Sequence, residues 1–142
     1  MKKLVFLDLA LVILLPLITT GCGSAAPIII QHSLDDFRSQ QTIYDTVDIS
    51  IGESFTVILG SNPSTGYSWG DAAIWLKTAK IEQISHNYTA PTNTSLVGAG
   101  GTDVWVFQGK SAGSSFIEID YGQSWAGGIK NACHMSITVN VK

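Results

Sequence analysis

Cys133 and His134 are adjacent, and a thiol beside an imidazole is the material of a cysteine nucleophile with its base. The pair sits in a run where Met135, Ile137, Val139 and Val141 alternate with Ser136, Thr138 and Asn140. Neighbouring side chains of a strand leave on opposite faces, so thiol and imidazole are expected not to meet, with His134 facing outward. The other histidines, His32 and His86, stand apart from any Ser or Cys in a nucleophile-like setting. A hydrolase needs a nucleophile, a base and an orienting group in mutual reach. This spacing offers none, so no catalytic residue is assigned. No histidine has further ligands beside it, so no metal site is assigned either. The glycine-rich stretch Gly98-Ala99-Gly100-Gly101 would cradle a phosphate only with a helix after it and a lysine to meet the phosphate. Neither follows, and no cofactor is expected.

The informative residues lie in three segments built from turn formers. The first is Ser61-Asn62-Pro63-Ser64-Thr65-Gly66. Pro63 fixes its own φ and pushes Asn62 towards an extended conformation. Gly66 can take a positive φ at the exit. Tyr67 and Trp69 follow at alternate positions and can pin the base, giving a stiff protrusion with small side chains. Asn-Pro and Thr-Gly are also ordinary turn residues, and composition alone fits a plain turn. The second segment runs from Thr89 to Gly101, where three glycines in four residues permit close backbone approach to another surface. The third, Tyr121 to Lys130, sets Trp125 among Gly and small polar residues. Such a Trp is either an exposed binding anchor or folded back on its own sheet edge.

The elements that must position these loops read as strands. Val47, Ile49 and Ile51 alternate with Asp48 and Ser50. Phe55, Val57 and Leu59 alternate likewise, as do Ile117, Ile119 and Tyr121 with Glu118 and Asp120. Ile81 and Ile84 mark another short stretch, and the continuous run Val104 to Phe107 is expected to be covered on both faces. The only helix candidate, Ala72 to Lys80, is too short to carry a fold. Short strands at regular spacing between Gly, Asn, Pro and Ser clusters predict an all-β chain. The expected architecture is an immunoglobulin-like antiparallel β-sandwich of about seven strands. In such a sandwich alternate connections emerge at one end, which places the loops near Asn62, Gly98 and Trp125 on a common edge.

These three segments, in this order, resemble the loops of the chagasin-type inhibitors of papain-family cysteine proteases. That family carries an Asn-Pro-x-Thr-Gly loop, a Gly-x-Gly-Gly loop and an Arg-Pro-Trp/Phe loop. Asn62-Pro63-Ser64-Thr65-Gly66 matches the first and Gly98-Ala99-Gly100-Gly101 the second, with Leu96 and Thr102 similar too. In the third, Trp125 is present, but Gln123 and Ser124 stand where Arg and Pro are expected. The resemblance spans residues 45–142 and implies an immunoglobulin-like fold and tight, reversible, non-covalent inhibition; a monomer is expected. Asn62, Pro63, Ser64, Thr65 and Gly66 would enter the protease cleft, with Thr65 over the catalytic centre. Gly98, Ala99, Gly100 and Gly101 would lie along the protease surface, and Trp125 would pack beside the cleft. Without Arg and Pro, weaker or differently selective binding is expected at the third loop. The alternative function is a surface-anchored adhesive or carbohydrate-binding module, which leaves the joint occurrence of the first two loops unexplained.

The chain has 142 residues, room for one such domain behind a leader. A net charge of -3 with 13% charged residues argues against a nucleic-acid partner, which calls for clustered Lys and Arg. Lys2 and Lys3 precede the apolar run Leu4 to Ile18, broken by Asp8 and Pro16, too short for a spanning helix and suited to a cleaved signal over residues 1–21. Ile18-Thr19-Thr20-Gly21-Cys22 resembles a lipoprotein processing site, with Cys22 lipidated and membrane-bound and Thr19 where an aliphatic residue is usual. Competing readings are cleavage after Ala26 or a Cys22–Cys133 bridge. Residues 22–41 are expected to be a flexible tether and 42–142 the inhibitor domain. Asn87-Tyr88-Thr89 and Asn93-Thr94-Ser95 fit the glycosylation pattern of an exported chain.

Overall fold

Strict alternation of apolar and polar residues forces one face of each strand inward, and two such faces make a sandwich. The computed structural model describes residues 26–70, 73–74, 80–92 and 98–142. The leader with Cys22, most of the helix candidate after Ala72, and Asn93 and Leu96 lie outside these residues. In chain order the elements are β1 (Ile28–His32), a short helix α1 (Asp36–Ser39), β2 (Thr42–Ile49) and β3 (Ser54–Ser61). A 3-10 turn (Pro63–Thr65) leads to β4 (Ser68–Trp69), β5 (Ala73–Ile74) and β6 (Ile81–Thr89). Then come β7 (Gly101–Gly109), β8 (Gly113–Gly122) and β9 (Cys133–Val141). One sheet has the order β1-β3-β7-β6. The other runs β2-β9-β8-β4, with β5 also on β8.

The core forms where the two inner faces meet. Val57, Leu59, Trp105, Phe107, Ile117, Ile119, Met135, Ile137 and Val139 are fully buried, and Phe55 stacks on Phe107 at 5.4 Å between ring centroids. The alternating positions of β2, β3, β8 and β9 are thus the core as expected. Ile51 and Ile84 are not: Ile51 lies in the turn after β2, and Ile84 is displaced outward by a register shift between Gln83 and Ser85. The expectation for Val104 to Phe107 also needs correction. Trp105 and Phe107 are buried, but Val104 and Val106 are only half-buried on the outer face.

The larger correction concerns residues 28–41, expected as a flexible tether. Ile28–His32 pairs in parallel with Phe55–Leu59, and Ile28 and Ile30 pack against the core. The next segment crosses to the second sheet, where β2 pairs in parallel with β9. Parallel neighbours need a crossover, and β2 in the opposite sheet is the return stroke between β1 and β3. The crossing itself is packed. Leu34 lies so close to Gly60 that an added β-carbon there would stand 2.7 Å from the Leu34 nitrogen. Phe37 is 3% exposed and lies 5.3 Å from the Trp69 ring. The folded domain therefore begins by Ile28, and the crossing closes the end of the core beneath the Asn62 loop. Phe37→Ala is expected to cost about 3–5 kcal/mol, measured by urea unfolding; a tether residue would leave the unfolding midpoint unchanged.

Candidate functional site

The first loop is stiff because its own backbone closes it. Asn62 lies outside the helical and extended regions at φ -135° and ψ 79°, and Pro63–Thr65 makes one 3-10 turn. Gly66 takes the left-handed conformation at φ 80°, with its N–H donating to Pro63 O at 2.9 Å. Thr65 donates twice to Asn62 O, from its N–H at 3.1 Å and its hydroxyl at 2.6 Å. The Ser64 hydroxyl donates to Asn62 Oδ1 at 2.6 Å. Pro63, Ser64 and Thr65 are exposed at the crest.

Asn62 joins this loop to the other two. Its side-chain Nδ2 donates to Gly98 O at 2.8 Å, and its backbone N–H donates to the Tyr121 hydroxyl at 3.0 Å. Alternation marks Tyr121 only as an inward strand position, and nothing in the sequence signals this second task. Burial pushes the Tyr121 phenol above its ordinary value, against the bond from Asn62 and the Thr65 hydroxyl, so it stays neutral beneath the loop. Tyr67 stacks on Tyr121 at 5.8 Å, and the Trp69 ring packs tilted against it at 4.9 Å. The Trp69 indole N–H donates to Gly60 O at 2.8 Å, which pins the loop base as expected.

The glycines of the second loop divide by task. A β-carbon at Gly100 would stand 2.9 Å from Ser61 O, and one at Gly101 would stand 2.1 Å from Thr89 O. Both therefore serve close approach within this chain. Gly98 has φ 83°, and among the described residues nothing lies within 4 Å of an added β-carbon. Ala99, half-buried, lies between them.

In the third loop Trp125 is folded back, but onto the first loop and not onto its own sheet edge. A β-carbon at Gly66 would stand 2.7 Å from Trp125 Cη2, so the indole lies directly on Gly66. It remains 49% exposed, with one side free for a partner. Gln123 and Ser124 occupy the Arg-Pro positions without leaving the loop loose. Gln123 Oε1 accepts from the Ile129 N–H at 3.1 Å, and Gly128 N–H donates to Trp125 O at 3.2 Å.

The first loop thus meets both others at one end of the sandwich, Asn62 touching Gly98 and Gly100, and Gly66 touching Trp125. The tempting Cys133–His134 pair is separated, as the alternation required. Cys133 packs against the core, where burial pushes its thiol pKa up, opposite to what a nucleophile needs. His134 lies across the outer strand pair, its Nδ1 2.7 Å from Asp120 Oδ1 and its Nε2 bonded to Glu118. Burial opposes its charge, but the two carboxylates outweigh burial and raise its pKa. The folded state therefore favours imidazolium. This contribution is complete below the ordinary histidine value and is lost as pH rises through the raised one. Surface pairs of this kind contribute about 0.2–1 kcal/mol each. Urea unfolding should show wild type losing its advantage over His134→Asn as pH rises from below the ordinary histidine value into the alkaline range; a constant difference would contradict the assignment.

Comparison with known proteins agrees with this geometry. The family described as Chagasin family peptidase inhibitor I42 matches residues 48–141. Chagasin of Trypanosoma cruzi is 29% identical over 83 residues, covering 58% of this chain and 76% of that protein. The cysteine protease inhibitor EhICP2 from Entamoeba histolytica superposes with a TM-score of 0.61 at 21% identity, covering 82% of this chain and 100% of that one. PbICP-C, solved in complex with falcipain-2, gives a TM-score of 0.51 at 18% identity over 81% of this chain and 99% of that one. The two structures share the fold, and the family match runs from the end of β2 through β9 with all three loops between. With the domain matched over most of its length, the chain belongs to the chagasin family of peptidase inhibitors.

Proposed function

We propose that this chain, as a monomer, inhibits papain-family cysteine proteases by inserting the Asn62–Gly66 loop into the active-site cleft. Gly98–Gly101 and Trp125 act as flanking clamps. The observation that carries this reading is the locking of three loops to one another, Asn62 to Gly98 and Tyr121, and Trp125 to Gly66. A pre-formed edge loses little conformational entropy on docking, and protease–inhibitor interfaces of about 1,600 Å² can be among the tightest known. The wedge also explains inhibition without cleavage. A scissile carbonyl must reach the nucleophile in near-attack geometry, whereas this loop is held as a turn by bonds to Asn62 O and Pro63 O. PbICP-C, with the same fold, forms a complex with falcipain-2, which supports a protease of this class as partner. Titration of papain with folded protein tests the proposal. Stoichiometric, reversible loss of activity is expected, and full activity at micromolar protein would refute it.

The proposed location is the outer face of a membrane, through a lipid on Cys22 after removal of residues 1–21. Two features support it: the leader's lipoprotein-like sequence, and the polarity of β1. Ile28 pairs with Phe55 while His32 pairs with Leu59, so the chain enters the domain at the end opposite Asn62. At about 3.3 Å per strand residue, the loops stand roughly 20 Å beyond that entry and face away from the anchoring surface. Mass spectrometry of the mature N-terminus decides between a lipidated Cys22 and cleavage after Ala26.

A further inference from the structure

The third loop holds an arrangement that its sequence does not announce. Lys130 Nζ lies 2.9 Å from Gln123 O, 3.0 Å from Ser124 O and 2.6 Å from Trp125 O. An ammonium has three N–H donors, and here all three go to successive carbonyls of the loop Lys130 itself closes. A lone surface lysine gains little from one partner, because ordering its long side chain opposes the bond. Three convergent, charge-assisted bonds are a different case. They gather three carbonyl dipoles that would otherwise repel one another, and they do so across only five to seven residues. The last of the three belongs to Trp125, whose indole lies on Gly66.

We infer that Lys130 is a positioning residue of the inhibitory edge: its ammonium clamps the carbonyls of Gln123, Ser124 and Trp125 and so holds the Trp125 indole on the Asn62–Gly66 wedge. The clamp supplies the stiffness that proline at position 124 would otherwise give. The gain in affinity expected from it rests on the proposed inhibition; the clamp itself does not. A lysine meeting an acidic patch on the protease would act through its charge alone, whereas a clamp acts through Trp125.

Two measurements separate these cases. Lys130 is exposed, so Lys130→Met and Lys130→Ala should fold. In the free protein, amide exchange at Gln123, Gly128 and Ile129, whose N–H groups are bonded within the loop, should accelerate roughly tenfold in Lys130→Met. Unchanged exchange overturns the clamp whether or not the chain inhibits anything. Against papain, Lys130→Met should weaken inhibition roughly tenfold, but by less than about twofold in a Trp125→Ala background. Additive losses would overturn the positioning role and indicate direct contact. Methylammonium at tens of millimolar should restore part of the inhibition by Lys130→Ala, whereas choline, which has no N–H donors, should not; equal rescue by both counts against the clamp. If the wild type itself leaves papain active, the inhibition proposal fails, and the exchange experiment alone decides the clamp.

Discussion

A chain carrying Thr65→Arg should lose roughly a thousandfold in inhibition of papain while its unfolding midpoint stays close to that of wild type. Thr65 is exposed at the crest of the wedge, where it makes two bonds to Asn62 O and its hydroxyl also reaches the Tyr121 phenol. Substitutions at such exposed positions change stability by about 0.5 kcal/mol or less. In the proposed complex the same position is buried against the protease. An arginine there adds bulk, at about 1–3 kcal/mol for overpacking, and a charge whose burial without a partner costs about 3–5 kcal/mol. Either effect alone gives a measurable loss, and together they remove useful affinity. Thr65→Ser is the matching control, since it keeps the hydroxyl that donates to Asn62 O and should stay within a few-fold of wild type. If Thr65→Arg inhibits as wild type does, the wedge is not what enters the cleft. An edge acting through Trp125 and Gly98–Gly101 would then have to carry the binding.

Much of this edge can be read without coordinates. Gly66 sits where a loop opened by Pro63 needs a left-handed exit, and it has that conformation. The alternation of β3, β8 and β9 fixes which residues are core, and strand counting alone brings the three loops to one end. The unread parts share a physical cause: they depend on partners remote in sequence. Ile28-Ile29-Ile30 shows no alternation, and its pairing with β3 becomes visible only once β2 is known to lie in the opposite sheet. Phe37 is one apolar residue among Asp35, Asp36 and Arg38, too few to reveal a buried turn of helix, yet it closes the core beneath the loops. Tyr121 meets Asn62 across 59 positions. Lys130 resembles any surface lysine until the loop curls around it. The family pattern, with Arg and Pro missing at positions 123 and 124, gives no sign that Gln123 Oε1 and the Lys130 ammonium bind the third loop from within.

Gly66→Ala should weaken inhibition strongly through a single added methyl, and Gly98→Ala provides its internal control. The two glycines have nearly the same backbone, φ 80° and φ 83°, so each alanine meets the same left-handed penalty of about 1–2 kcal/mol. Their surroundings differ. Among the described residues nothing lies within 4 Å of a β-carbon at Gly98, whereas one at Gly66 stands 2.7 Å from Trp125 Cη2 and 3.1 Å from Cζ3. The alanine therefore strains the wedge and expels the indole together, and both are proposed contacts. Inhibition of papain should fall roughly a hundredfold for Gly66→Ala, about 2.7 kcal/mol, and by tenfold or less for Gly98→Ala. The contact with Trp125 also makes the losses non-additive. Once Trp125→Ala has removed the ring, Gly66→Ala has only backbone strain left to impose, so the double variant should inhibit better than the product of the single losses. Additive losses would mean that the indole does not rest on Gly66 when the protease is bound. Trp125 would then act as a separate anchor, and the edge would bind as independent loops instead of one locked surface.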